Sequence, residues 1–502
     1  MRGKRLAANT ILSLLLQVTT IVCGFVLPRL ILQYYGSEVN GLISSISQFL
    51  NIITFLELGV GAVVMSALYK PLADKDKQLT SEIIVSASNF FRSIGKALLV
   101  YVVVLILLYP YIAKSNFDHL YTAVLIIAMS VSYFAQYYFG IVDNLLMTAD
   151  QKGYIQYAMQ IGTILLNTIL CVVVIRMGFS IQMVKLTTSV VYLIRPFAMR
   201  IYVNTHYDID RKIKLSEEPI KQKWNGIAQH VSAVILNGTD SVVLTIFSTL
   251  SNVSIYSVYH YVVYGVSNLF TSMINGGIQS LLGELWAKDE KEKLDDVFKW
   301  TEWSIHTFGT FLFTCTGLLI IPFVIIYTSG IKDANYYQPV FATLIVIANA
   351  VYCLRLPYHV MIKAAGKYKE TQSCYIVSTI LNVVVSIIVV KNYGLVGIAI
   401  GTLVGMLYQT IWMAVYIYKG LLNSSLTHFL KQVIVDLIGA ILSCTAVFIF
   451  KIEQFTYFSW VKLAIAISIY TFIIMLFVNF IFYRKMEVVL FNKIFARFRG
   501  DK

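Results

Sequence analysis

Residues 97–113, ALLVYVVVLILLYPYIA, carry no charged side chain and are apolar on every face of a helix. Strands of a membrane barrel are shorter and alternate apolar with polar residues. A helix that crosses a bilayer core about 30 Å thick needs roughly 20 apolar residues and pairs its backbone polar groups within the segment. The stretch therefore predicts a membrane-spanning α-helix, and with it an all-α fold.

Stretches of the same kind recur along nearly all of the 502 residues. Apolar residues make up 58% of the chain and charged residues only 13%, and the mean hydropathy is +0.73. A soluble domain carries more polar surface than this. We predict a polytopic membrane protein of about fourteen transmembrane helices, with centres near residues 22, 52, 103, 133, 165, 192, 238, 267, 314, 350, 382, 406, 440 and 472.

Lys and Arg residues are spread unevenly over the loops between the predicted spans. With both termini in the cytoplasm, cytoplasmic segments hold 28 of the 40 and outer segments hold 6. Short cytoplasmic loops retain positive charge, so both termini are predicted to be cytoplasmic. The same asymmetry accounts for the net charge of +14. Because the basic residues are not gathered on one polar module, no nucleic-acid partner is predicted.

The chain repeats itself with a shift of 214 residues. LADKDKQL at 72–79 falls on WAKDEKEK at 286–293, and Gly95 falls on Gly309. Each repeat holds an even number of spans, so both repeats enter and leave on the cytoplasmic side, which makes the repeat parallel. We predict two six-helix lobes in tandem plus two extra helices. The predicted boundaries are 1–204 for the N-lobe (helices 1–6), 205–224 for a cytosolic linker, 225–428 for the C-lobe (helices 7–12), 429–484 for the extra helices 13–14, and 485–502 for a basic cytosolic tail.

Two similar lobes around one axis are typical of transporters that work by alternating access. The sequence contains no GxxxxGK[ST] motif for ATP and no GxSxG motif for a nucleophile. No spacing of His, Glu and Asp resembles a metal site. We therefore predict a transporter that is not an enzyme and that has neither a cofactor nor a metal.

The stretch GIAIGTLVG places Gly397, Gly401 and Gly405 four residues apart. This spacing brings the three positions onto one face of a helix. Small residues on such a face let a second helix approach closely, so the stripe predicts helix packing.

Charged side chains within the predicted spans are expensive, by a few kcal/mol or more, so each needs a physical reason. A snorkelling side chain and a structural ion pair are the alternatives to a functional role. Arginine binds phosphate in bidentate fashion and stays charged, so an excess of arginine in a hydrated cavity suits an anionic cargo. We predict substrate-binding roles for Arg29, Arg92, Arg195 and Arg355, and coupling or gating roles for Glu57, Asp143 and Asp240.

Arg29 and Asp240 are related by the repeat. The shift of 214 places Asp240 on Val26, one helical turn from Arg29. The first helix of each lobe would then carry one half of an ion pair that breaks when the lobes separate. The pair is a hypothesis for a gate.

A family resemblance rests on the first two predicted spans and on the start of the second repeat. LPRLILQYYGSEVNGLISSISQFLNIITFLELGVGAVVMSALYKPLADKD, at 27–76, resembles polysaccharide repeat-unit flippases. These are the O-antigen and capsule transporters of the multidrug/oligosaccharidyl-lipid/polysaccharide flippase superfamily. The resemblance continues through LNGTDSVVL at 236–244 and YSVY at 256–259, and the layout of six, six and two spans covers nearly the whole chain.

The resemblance implies flipping of an undecaprenyl-pyrophosphate-linked oligosaccharide from the cytoplasmic to the outer leaflet of a bacterial inner membrane. It also implies two lobes that enclose a cationic cavity, with Na⁺ or H⁺ as a possible coupling ion. Arg29 and Asp240 match charged positions of the family pattern. We expect the protein to be a monomer whose partners are the lipid-linked oligosaccharide and membrane lipids.

Two alternatives remain open. One is an ion-coupled small-molecule exporter of the multidrug type, although the arginine excess counts against a cationic drug. The other is a membrane-embedded polysaccharide polymerase. Such an enzyme needs a sizeable extramembrane loop, whereas the outer loops, such as STLSN at 248–252 and SGIKDANYYQ at 329–338, are short.

Overall fold

The computed structural model describes the backbone of residues 2–57, 59–113, 117–213, 215, 227–274, 277–452 and 454–499. This part of the chain is built from helices and contains no strand. The predicted all-α class is therefore confirmed. The chain divides into two compact units. Unit 1 comprises Met1–Ser254 and Gly330–Ala334, and unit 2 comprises Ile255–Ser329 and Asn335–Lys502.

Unit 1 contains the first eight α-helices, a short 3₁₀-helix and a π-helix. In chain order they are α1 (Arg2–Asn51), the 3₁₀-helix (Ile52–Glu57), α2 (Val60–Asp74), α3 (Lys77–Ala113), α4 (His119–Ala135), the π-helix (Gln136–Gly140), α5 (Ile141–Ala149), α6 (Gly153–Arg176), α7 (Ile181–His206) and α8 (Ile227–Phe247). Its apolar core is continuous from α1 to α7.

Unit 2 contains the remaining helices, apart from the first residues of α9, which belong to unit 1. They are α9 (Leu250–Ile274), α10 (Gly277–Ala287), α11 (Lys291–Tyr327), α12 (Pro339–Leu354), α13 (Leu356–Ala364), α14 (Gln372–Tyr393), α15 (Leu395–Val415), a second π-helix (Tyr416–Leu421), α16 (Thr427–Cys444), α17 (Ala446–Ile449) and α18 (Tyr457–Arg499). One of its apolar clusters joins α10, α11, α13 and α16.

Helix α1 changes direction at Gly36, whose φ of +85° lies in the left-handed region that glycine adopts without strain. Ser37 closes the bend, because its backbone N–H and its hydroxyl both donate to the carboxylate of Asp333, at 2.6 and 2.7 Å. Shortly after the bend, a Cβ at Gly41 would lie 1.8 Å from the carbonyl oxygen of Leu250. The YG and NG pairs of the sequence therefore serve a tight bend and a close backbone approach.

Ten helical segments of the described part are long and apolar enough to cross a membrane, which makes the protein a multi-pass membrane protein. The first of them, Ala7–Glu57, contains two predicted centres, near residues 22 and 52. The centres near 192, 238 and 267 fall in α7, α8 and α9, which are helical but are not among the ten. The count of fourteen spans stays a prediction.

Two pairs of loop residues that the repeat aligns share a positive φ. Lys75 and Asp289, which the shift aligns, lie just after α2 and α10 and have φ of 56° and 54°. Both values are in the left-handed region that only a few per cent of non-glycine residues adopt. Gly178 and Gly394, aligned with a slip of two residues, also have positive φ, at 77° and 51°. These four residues agree with the predicted repeat, which stays a prediction.

The predicted lobe boundaries stay predictions. Half of the predicted linker, 205–224, lies outside the described residues, since residues 214 and 216–226 are not described. At the other end, the predicted tail is helical as far as Arg499, where α18 ends.

The glycine stripe packs α15 against α14, as predicted. A Cβ at Gly401 would lie 2.1 Å from the hydroxyl oxygen and 2.7 Å from the backbone nitrogen of Ser386. At Gly397 and Gly405 it would meet the backbone of α14 at 2.6 and 2.8 Å. In a membrane, close packing of this kind is a main source of helix association, because lipid tails offer no hydrophobic driving force.

Candidate functional site

A cavity of about 470 Å³ lies inside unit 1. Its walls are formed by α1, the 3₁₀-helix, α4, the π-helix, α5, α6 and α7. The volume falls within the range of about 300 to 1,000 Å³ that is usual for small-molecule sites. Since seven helical elements contribute side chains, the cavity is a candidate binding site.

Irregular backbone lies at this cavity. The 3₁₀-helix that supplies Thr54 and Glu57 ends before Gly59, whose φ is +76°. The π-helix packs closely on α7, because a Cβ at Gly140 would lie 2.9 Å from the Cβ of Pro196. Helix segments of these two kinds often occur at functional sites, where they redirect side chains.

The two charged residues that line the cavity differ in their partners. Among the described residues that line it, Arg195 is the only cation and Glu57 the only acid. The Tyr137 hydroxyl donates to Oε1 of Glu57 at 2.6 Å. The guanidinium of Arg195, by contrast, has no ion pair and no hydrogen bond to a described residue; its electrostatic neighbour is Tyr192, one turn earlier on α7. A half-buried arginine of this kind favours an anionic ligand.

Amide side chains supply most of the remaining polar surface. Gln156 and Gln160 lie one turn apart on α6, and Gln136 and Asn144 lie on the π-helix and α5. Each amide carries two donors and one acceptor oxygen. Together they provide the mixed donors and acceptors that sugar hydroxyls need.

Of the seven residues that the sequence predicts as functional, the cavity brings together only Arg195 and Glu57. Sequence reasoning missed Tyr137 and the amide residues of the cavity. A signal for Gln156 and Gln160 was present, because a four-residue spacing puts two amides on one face of an otherwise apolar helix.

Asp143 forms an ion-pair cluster with two arginines. Its side chain is fully buried, and its two oxygens accept from Nη1 of Arg200 at 3.0 Å and from Nη2 of Arg211 at 2.8 Å. The cluster ties α5 to α7 and to the segment that follows α7. This is the geometry of a structural ion pair, and the predicted coupling role of Asp143 stays a prediction.

Arg92 and Arg355 do not line the cavity. Arg92, on α3, has its Cζ 5.5 Å from the ring centroid of Tyr138. Arg355, between α12 and α13 in unit 2, is only 4% exposed and lies 4.8 Å from the ring centroid of Tyr352. Its Nε and Nη1 are buried and have no hydrogen-bond partner in the described part of the chain.

Arg29 and Asp240 do not line the cavity either. Arg29 is half-buried on α1, and Asp240 is buried on α8. Both have interaction partners. The hypothesis that they pair as a gate stays a prediction.

The described residues contain no group of three or more His, Cys, Asp or Glu residues placed to hold a metal ion.

No protein-family model matches the chain, and no curated protein matches it. Solved structures do match. The structure of the lipid II flippase MurJ in an inward closed conformation has a TM-score of 0.69 at 15% identity, covering 95% of this chain and 99% of that one.

Two further structures belong to the MOP superfamily. A multidrug resistance MATE family transporter in an inward-facing conformation has a TM-score of 0.62 at 15% identity, covering 81% of this chain and 95% of that one. A transporter from Pyrococcus furiosus, whose binding pocket is described as reversed in polarity, has a TM-score of 0.57 at 14% identity, covering 83% and 96%. The chain thus shares the fold of these transporters, as the resemblance seen in the sequence implies.

Proposed function

We propose that the protein flips an undecaprenyl-pyrophosphate-linked oligosaccharide repeat unit from the cytoplasmic to the outer leaflet of a bacterial inner membrane, by alternating access through a cationic cavity. The observation that carries this proposal is the unpaired guanidinium of Arg195 in a polar cavity of about 470 Å³. A guanidinium that forms no ion pair with a described residue favours an anionic headgroup.

The chemistry of the cavity fits the two parts of such a headgroup. The guanidinium of Arg195 offers parallel N–H donors that match two phosphate oxygens. The amides of Gln156 and Gln160 would bind sugar hydroxyls beside it. The polyprenyl tail would stay in the bilayer while the headgroup crosses.

The other charged residues receive roles on the same basis. Glu57, whose carboxylate accepts from Tyr137 in the cavity of Arg195, would respond to a coupling Na⁺ or H⁺. Arg29, Arg92 and Arg355 would assist binding of the anionic cargo. Asp143 and Asp240 would act in coupling or gating.

Comparison with proteins of known structure supports transport of a lipid-linked cargo. The flippase that matches over 95% of this chain is named for lipid II. The multidrug transporters of the same fold make an ion-coupled small-molecule exporter the alternative. A cationic drug would place a second positive charge beside Arg195, so the cavity favours the anionic cargo over such a drug.

Binding of undecaprenyl pyrophosphate to the purified protein tests the proposal. We expect Arg195→Ala to weaken binding by roughly tenfold or more, since a hydrogen bond to a charged group contributes about 1.5 to 3 kcal/mol. Undecaprenol, which has no phosphate, should bind equally to both forms. Native mass spectrometry can measure all of these complexes.

Arg176→Ala is the matched control, because Arg176 is exposed at the end of α6, outside the cavity. It should bind the pyrophosphate as the wild type does. Equal binding of undecaprenyl pyrophosphate by the wild type and Arg195→Ala would contradict the proposed site.

A further inference from the structure

Unit 2 contains a buried hydrogen-bonded chain of ionisable side chains from four helical elements. Helix α11 supplies Glu302 and His306, and α16 supplies His428 and Asp436. Tyr358 of α13 contacts both Glu302 and His306. The second π-helix adds Tyr418, which contacts Glu302. None of these residues belongs to the cavity of unit 1.

One half of this hydrogen-bonded chain is centred on Glu302, whose side chain is fully buried. The Tyr358 hydroxyl donates to Oε1 at 2.5 Å. Nδ1 of His428 lies 2.7 Å from Oε2, which also accepts from the Tyr418 hydroxyl. Glu302 thus has three donors around one carboxylate.

The second half is centred on His306. Its Nδ1 lies 2.6 Å from Oδ2 of Asp436, and its Nε2 lies 3.2 Å from the Tyr358 hydroxyl. Gln432, one turn before Asp436, donates to Oδ1 at 3.1 Å. Because Tyr358 contacts both Glu302 and His306, hydrogen bonds run without a break from His428 to Asp436.

The net charge of this hydrogen-bonded chain of side chains depends on how many protons its histidines carry. Neither Glu302 nor Asp436 has a lysine or arginine partner in the described part of unit 2; their only cationic partners are histidines. With both imidazoles neutral, two buried carboxylates have no counter-charge, which costs several kcal/mol per ion. Protons on His306 and His428 supply the missing charge, so the chain has the composition of a proton-binding site.

At the His428 end of the hydrogen-bonded chain, one ring nitrogen has no hydrogen-bond partner among the described residues. This atom, Nε2 of His428, is buried. The ring of Tyr483, on α18, lies 5.9 Å from the His428 ring, and the ammonium group of Lys431 lies 4.2 Å from the Tyr483 ring centroid. The groups that face His428 are therefore Glu302, Tyr418 and Tyr483, with Lys431 beyond. Protonation at Nε2 would create an imidazolium whose counter-ion, Glu302, is already in place.

We propose that this chain binds a proton at His428, and that proton binding at this site is coupled to transport. The coupling rests on the proposed function, whereas the proton site stands on the geometry of unit 2. The two carboxylate–histidine pairs join α11 to α16, so the protonation state of His428 changes how strongly these helices are held together.

Histidine-selective ¹⁵N NMR of the protein in nanodiscs tests the proton site without any substrate. The chain has seven histidines, and His428→Gln assigns the signal of His428. We expect this signal to show an imidazolium in the wild type and to lose it as the pH is raised. The imidazolium signal should be lost in Glu302→Gln, because a neutral amide does not stabilise the imidazolium.

Two further variants keep this test informative. Tyr358→Phe preserves the packing of the ring but removes the link between Glu302 and His306, so we expect an altered His306 signal in a folded protein. Glu284→Gln is the matched control, since Glu284 pairs with Lys288 on the exposed surface and should leave all histidine signals unchanged. A His428 signal that does not change with pH in the wild type would overturn the proton site.

Transport driven by a pH gradient tests the coupling. We expect Glu302→Gln and His428→Gln to bind undecaprenyl pyrophosphate normally and to lose the response of flipping to the gradient. An unchanged response would overturn the coupling. A titrating His428 in a protein that flips no lipid would instead overturn the proposed function and leave the proton site in place.

Discussion

At the scale of single residues, charge pairing separates residues that hold the fold from residues available to a ligand. Asp143 and Arg195 were both predicted as functional because each is a charge in an apolar span. Asp143 has two arginine partners within 3.0 Å. Arg195 has none and lines a cavity. The unpaired residue is the one whose charge is left for a ligand.

Asp143→Asn tests the structural role of the ion-pair cluster. Removing one partner of a buried pair leaves Arg200 and Arg211 without a counter-charge, which costs about 3 to 5 kcal/mol. We expect a clear fall in the unfolding temperature, measured by tryptophan fluorescence in detergent.

The control is Asp208→Asn, because Asp208 pairs with Lys77 on the exposed surface. It should leave the unfolding temperature unchanged. An Asp143→Asn variant as stable as this control would show that the cluster does not hold α5 to α7.

The sequence located part of the candidate site and could not locate the rest. Arg195 and Glu57 were found because a charge within an apolar run is conspicuous. Glu302 was not, since it follows the charged stretch 288–299 and hydropathy places it with that loop. Its contact with His428 joins positions 126 residues apart, which periodicity does not reveal.

At the scale of helices, small residues and irregular turns decide how closely elements approach. The stripe at Gly397, Gly401 and Gly405 was read correctly from its spacing, since one face of a helix follows from sequence alone. The π-helix at Gln136–Gly140 was not predicted. It depends on the contact between Gly140 and Pro196, which lie far apart in sequence.

Gly401→Ala tests the packing of α14 on α15. The new Cβ would lie within 3 Å of the backbone of Ser386, so one of the helices must shift. Overpacking of this kind costs typically about 1 to 3 kcal/mol. We expect a lower unfolding temperature than that of the wild type.

Gly162→Ala, on α6, is the matched control because no atom lies within 4 Å of its added Cβ. Alanine favours a helix over glycine, so this variant should be as stable as the wild type or slightly more stable. Equal unfolding temperatures for the two variants would argue against close packing at Gly401.

At the scale of the whole molecule, the sequence predicted the helical class, which the structure confirms, and an internal repeat, which stays a prediction. Both predictions rest on patterns that are visible along the sequence, namely long apolar runs and loops that recur after 214 residues. The division into compact units is different in kind. Unit 1 includes Gly330–Ala334, far along the chain, because Asp333 binds Ser37. A contact across 296 residues leaves no periodic signal.

The central claim is that unit 1 provides the cationic cavity of a flippase for a lipid-linked oligosaccharide. The most direct measurement is flipping of a fluorescent undecaprenyl-pyrophosphate oligosaccharide in proteoliposomes, with wild type, Arg195→Ala and the control Arg176→Ala at equal reconstitution. We predict flipping by the wild type and the control, and a loss of roughly tenfold or more in Arg195→Ala. Flipping by Arg195→Ala at the wild-type rate, or no flipping by folded wild type under any ion gradient, would contradict the account.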